Sequence, residues 1–184
     1  PRILLWFDLI NSPDGKAPMG SKITMSQNPR FIVRAAGSFK QNTGCSNNSI
    51  DSLSPERLEY LCAGECYNPT NEREVIEQIE IIKITPQVYS GEAVSPLIQD
   101  PWQTIPCQGT GECIVEFEDQ NFSRDSVYYV RAIQRATPAI NGSRLSHRET
   151  FELCKGSFRT DLEDDCLSMT NERAWSSPIY VDKP

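Results

Sequence analysis

Val127-Tyr128-Tyr129-Val130-Arg131-Ala132-Ile133 decides the fold class. Val127, Tyr129, Arg131 and Ile133 face opposite Tyr128, Val130 and Ala132, and the stretch is rich in β-branched and aromatic residues, so it reads as a strand. Working outward, residues 30–36 put Phe31, Val33 and Ala35 on one face and Arg34 on the other, while Cys113, Val115 and Phe117 alternate with Ile114, Glu116 and Glu118. Residues 3–10, 23–25 and 179–181 read as further strands. The segment 75–85 also meets helical spacing through Val75, Ile79 and Ile82, but its isoleucines favour the pleated state and Pro86 follows it, so a strand is expected there too. One short helix is expected, with Ser54 as cap, Pro55 in its first position, Leu58 and Leu61 on one face and Gly64 at its end. About seven short strands and little helix predict an all-β chain built as a β-sandwich. The expected organisation is a single domain over residues 1–184, interrupted by two long insertions at about 41–73 and 136–173.

The 184 residues include 18 basic and 25 acidic side chains, a net charge of −7, which argues against a nucleic-acid partner because phosphate binding needs clustered Lys and Arg. No stretch approaches the roughly 18 apolar residues of a membrane span. The chain opens on Pro1-Arg2-Ile3-Leu4-Leu5-Trp6-Phe7, already the pattern of a strand, so a longer protein with an export signal upstream is expected. Seven cysteines fall into three local groups in turn-rich sequence, which points to disulfide staples and an oxidising compartment, a periplasm or the cell exterior. Cys107 is expected to pair with Cys113, Cys154 with Cys166, and Cys45 with either Cys62 or Cys66, leaving one thiol over. Zinc is the competing reading of Cys62-Ala63-Gly64-Glu65-Cys66, but the second ligand pair that a four-ligand site needs is missing.

A Ser/His/Asp or Cys/His catalyst has only His147 to use, and it sits in a polar stretch without a nucleophile-elbow pattern. The run Asp161-Leu162-Glu163-Asp164-Asp165 is a candidate calcium site, since calcium takes carboxylate oxygens, set against a solvated acidic turn; it lacks the glycine and terminal glutamate of an EF-hand loop. No nucleotide-binding loop occurs, Gly109-Thr110-Gly111 being isolated. Asn47-Asn48-Ser49, Asn121-Phe122-Ser123 and Asn141-Gly142-Ser143 fit glycosylation acceptors. Trp102 and Trp175 are candidates to stack sugars; for Trp6 and Trp175 packing in a core or an interface is the favoured reading. Trp175 to Val181 reads as a loop anchor and closing edge strand, with Pro178 tolerated at the start.

Two stretches, Tyr128-Tyr129-Val130-Arg131-Ala132 and Trp175-Ser176-Ser177-Pro178-Ile179-Tyr180-Val181, are similar to the penultimate and last strands of immunoglobulin- and fibronectin-like sandwiches, although there a hairpin joins them and here a long segment intervenes. A broader match spans most of the chain. Pro1-Arg2-Ile3, Asn11-Ser12-Pro13-Asp14-Gly15, Ala17-Pro18-Met19-Gly20-Ser21, Gly64-Glu65-Cys66-Tyr67-Asn68-Pro69, Thr137-Pro138-Ala139-Ile140-Asn141-Gly142, Arg159-Thr160-Asp161, Glu163-Asp164-Asp165-Cys166-Leu167 and Glu172-Arg173-Ala174-Trp175-Ser176-Ser177-Pro178-Ile179 resemble the C-terminal region of a bacterial family of large exported proteins. That family carries a domain of unknown function related to PHP-type (polymerase and histidinol phosphatase) metallohydrolases. The resemblance implies that the metal ligands lie upstream in a barrel-like domain, and none of them maps onto this chain. It therefore implies a non-catalytic accessory domain whose partner is the upstream catalytic domain, with Trp6, Trp175 and Pro178 as candidate interface residues and no cofactor of its own beyond the candidate calcium. A carbohydrate- or envelope-binding module that takes a glycan is the first alternative, and a self-sufficient hydrolase the second.

Overall fold

Phe31, Val33 and Ala35 do turn inward from one strand, and the surface they cover is the core of the larger of two compact units. The computed structural model describes residues 2–62, 66–140 and 167–184. Its strands are β1 (Leu4–Ser12), β2 (Gly15–Pro18), β3 (Lys22–Thr24), β4 (Arg30–Ala36) and β5 (Phe39–Thr43), followed by the helices α1 (Asn47–Ser52) and α2 (Pro55–Cys62). Then come β6 (Tyr67–Arg73), β7 (Ile76–Ile84), β8 (Ile98–Pro106), β9 (Glu112–Glu118), β10 (Ser126–Gln134), β11 (Thr137–Ile140), β12 (Leu167–Thr170), β13 (Arg173–Trp175) and β14 (Ile179–Asp182). The described residues are therefore mostly β, as the alternating patterns require.

The larger unit holds Ile3–Gly37, Glu74–Gln134 and Arg173–Pro184. One of its sheets runs β2-β1-β4-β9; the other runs β3-β14-β10-β7-β8, with β13 also paired to β10. All of these pairings are antiparallel except β14 with β3. The sheets face each other across one core. Phe7, Phe31 and Phe117 from the first sheet stack, with Phe31 5.2 Å from Phe7 and 4.9 Å from Phe117, and Tyr128 of the second sheet closes on Phe31 at 4.8 Å. Ile79, Ile81, Val130, Ile179 and Val181 complete the interior, each fully buried. Burying side chains of this size contributes about 1.5–3 kcal/mol each.

Strands β2, β5, β6, β8, β11, β12 and β13 were not expected from the sequence, nor were two short helical pieces. A second helix, α1, forms where Asn and Ser residues close a short exposed turn, with the Ser46 carbonyl accepting the Ile50 N–H at 3.1 Å. A single 3₁₀ turn at Ser95–Leu97 adds to it. The strand β8 escapes an alternation test because Pro101 and Pro106 interrupt it; it bonds only to β7, and an outer strand tolerates proline.

The smaller unit comprises Arg2 and the described residues of Ser38–Arg73 and Arg135–Glu172. Within it, β5 pairs with β6 and β11 with β12, both antiparallel. In α2 the expected cap is present, as the Arg57 N–H donates to Ser54 Oγ at 3.3 Å; Gly64, the expected end, lies outside the described residues.

Each insertion leaves the larger unit and returns to it at abutting points. A Cβ on Gly37 would overlap the Glu74 carbonyl, so the first pair of ends is already touching. The second pair is a strand pairing, Ile133 opposite Arg173 at the start of β13. The segment that intervenes between Val130-Arg131 and Trp175 is thus an enlarged hairpin loop.

Candidate functional site

Trp6 lies outward on β1. Phe7 and Leu9 point into the core, so the register sends Leu4, Trp6 and Asp8 to the other face, and the indole is 47% exposed opposite Arg34. Core packing for Trp6 is therefore corrected by the parity of the strand. Trp175, on β13 opposite Arg131, is 59% exposed. The strands β1 and β13 approach one another, and the two indoles stand on the outer faces of different sheets, Trp6 on the first and Trp175, opposite Arg131, on the second. Pro178 is partly buried and accepts a hydrogen bond from the Gly20 N–H at 2.9 Å, anchoring the entry to β14. Between Trp175 and Pro178, Ser176 performs two backbone-like tasks: its Oγ accepts the Val130 N–H at 3.0 Å and its own N–H donates to the Val130 carbonyl at 3.0 Å. That switch lets the chain leave the β13 ladder and resume it as β14 without leaving a buried group unpaired.

Trp102 faces the other way. It is partly buried, with its ring 6.3 Å from Phe117 and 6.2 Å from Tyr128, and Lys83 Nζ stands 5.3 Å over it. Lys83 also pairs with Asp119, a carboxylate 1% exposed that accepts the Tyr128 hydroxyl at 2.6 Å and the Asn121 N–H at 3.1 Å. Burial, reinforced by the hydrogen bond and charge of Asp119, pushes the Tyr128 phenol well above its ordinary range, so it stays a donor. This network has a donor for each acceptor, and its geometry is that of a cross-brace. On the outer face of the same sheet, Arg131 pairs with Glu80 at 2.8 Å and with Asp100.

The cysteines divide as follows. Cys107 and Cys113 are bonded across the turn from β8 to β9, beside a cleft of about 430 Å³ that their own segment lines. The Sγ atoms of Cys45, Cys62 and Cys66 all lie within 4.8 Å of one another, each residue half-buried. Cys62 is within bonding reach of both others, so of the two pairings expected for Cys45 the structure offers the one with Cys62, and it adds Cys62–Cys66, which the sequence reading did not include. Cys154 and Cys166, the candidate calcium ligands Asp161, Glu163, Asp164 and Asp165, and His147 lie outside the described residues. Among the described residues no helix is long and apolar enough to cross a membrane. Comparison with protein-family models, with curated proteins and with solved structures finds no match to this chain.

Proposed function

We propose that the chain is an immunoglobulin/fibronectin-like sandwich that serves as a non-catalytic accessory domain of an exported PHP-like hydrolase, docking on the catalytic domain through exposed positions that include Trp6 and Trp175. The observation that carries the reading is the exposure of those two indoles, 47% and 59%, on neighbouring strands of one unit. Exposed indoles are suited to such a role, because burying a tryptophan at an interface supplies much of the binding energy. The strand order supports the fold half of the proposal: three successive long strands, β1-β4-β9, oppose β14-β10-β7-β8, and a tyrosine near the start of the penultimate long strand bonds back into the preceding loop. Disulfide-bonded cysteines support export.

The test is made in the full-length protein. Trp6→Ala with Trp175→Ala is expected to lower its melting temperature and its hydrolytic kcat/KM, whereas Tyr60→Ala, which removes a still more exposed ring from the smaller unit, leaves both unchanged. Equal values in the double variant and the parent would sink the docking claim. Phosphatase or esterase turnover by the 184-residue chain alone, persisting in His147→Ala, would sink the non-catalytic claim. The same exposed indoles favour a second reading, stacking on sugar rings, and binding on a glycan array that the double variant abolishes would replace the first.

A further inference from the structure

Three sulfurs in mutual reach set a valence problem. A cysteine sulfur forms one disulfide, so whichever pair is bonded among Cys45, Cys62 and Cys66, a third sulfur sits within 4.8 Å of that bond. The backbone brings them together from both ends of the inserted segment. Pairing of Thr43 with Tyr67 aligns β5 and β6, the Gly44 N–H donates to the Cys66 carbonyl at 2.7 Å, and Asn68 Nδ2 donates to the Gly44 carbonyl at 2.9 Å, which holds Cys45 beside Cys66. Cys62 closes the group as the last residue of α2.

The Cα separations rank the two bonds. Cys62 and Cys66 are 4.9 Å apart, inside the roughly 4.4–6.8 Å range that disulfides occupy. Cys45 and Cys62 are 7.4 Å apart, so their bond needs a small backbone approach. Zinc is the competing occupant of such a cluster. A structural zinc takes four protein ligands, and among the described residues no fourth cysteine, histidine or carboxylate joins the three.

We infer that Cys45, Cys62 and Cys66 form an intramolecular thiol–disulfide exchange centre in which Cys62 is the shared sulfur and the disulfide moves between Cys66 and Cys45. The Cys45 thiol gives its proton to solvent, and its thiolate attacks Cys62 Sγ. The Cys45–Cys62 bond forms as the Cys62–Cys66 bond breaks, and the departing electron pair stays on Cys66 Sγ, which takes up a proton. One bond is made and one is lost, so no external oxidant or reductant is consumed.

The experiment is alkylation of the native chain with N-ethylmaleimide at mildly alkaline pH, followed by non-reducing digestion and peptide mass mapping. Label is expected on Cys45 in one population and on Cys66 in another, with Cys62 disulfide-bonded in every molecule. Cys45→Ser is expected to lose label from this segment entirely, as is Cys66→Ser, in which Cys62 bonds Cys45 instead. Label confined to one of Cys45 and Cys66, label on Cys62, or free Cys45 and Cys62 in Cys66→Ser each overturns the proposal. So does stoichiometric zinc held by three reduced thiols. The wild-type map alone decides if either variant misfolds, and none of these readouts depends on the docking role proposed above.

Discussion

Asp119 is the one charged residue that is buried among the described residues. It is 1% exposed, and its oxygens satisfy the Lys83 ammonium, the Tyr128 hydroxyl and the Asn121 N–H. Asp119→Ala strands a mostly buried ammonium, and breaking such a pair from one side costs about 3–5 kcal/mol. Tyr128→Phe leaves the carboxylate with its other partners and should cost only about 1 kcal/mol. Urea denaturation of the two variants checks the order; equal losses would mean that the ammonium finds water. Gly37 is a second position where one atom decides. Its backbone abuts the Glu74 carbonyl, so Gly37→Ala forces a strand end to move and should lose about 3 kcal/mol, read in the same assay. Neither site was legible in the sequence. Asp119 looks like any loop acid, and Gly37 like any turn glycine, because what makes each special is a neighbour distant along the chain.

Among the elements, the connection between β7 and β8 is clamped to the one between β9 and β10. Arg124 donates from Nη1 to Glu92 Oε1 at 2.8 Å and from Nη2 to Oε2 at 3.0 Å, and the Val88 N–H adds a bond at 2.8 Å. The guanidinium hydrogen bonds first, and then the Val88 N–H, hold the Glu92 carboxyl down at about 2 against an ordinary 4.5. A depressed folded-state value means that the clamp is fully present above pH 4.5 and is lost as the pH falls toward about 2. The stability gap between the parent and Glu92→Gln is therefore expected to close across that window; thermal melts at successive pH values check it, and a gap constant with pH would contradict it. Strands with clean alternation, such as β4, β9 and β10, were legible because one buried face forces a period of two. The outward setting of Trp6 is written in the same period of two, since Asp8 marks the face it shares, although the hydrophobicity of an indole argues for the interior. Strand β8 and the Ser176 switch were hidden by proline and by a side chain doing a backbone's task.

For the molecule as a whole, 38–73 and 135–172 group into one compact unit while the described strands of each keep their own two-stranded sheet, a grouping of distant segments that leaves no local trace in the sequence. The candidate site was legible in its residue list: Trp6, Trp175, Pro178 and the three clustered cysteines were all named. Their arrangement was not. The abutting ends carry a further expectation. Replacing 38–73 by a two- or three-residue Gly/Ser link should leave the larger unit folded, since its interior draws on residues outside that segment. Cooperative unfolding with unchanged near-ultraviolet dichroism from the Phe7, Phe31 and Tyr128 cluster checks this, and a molten baseline would refute it. Doorways of this sort separate cargo from chassis. Because the backbone at Gly37 already touches that at Glu74, a passenger of another length can be spliced between them without prying the frame apart.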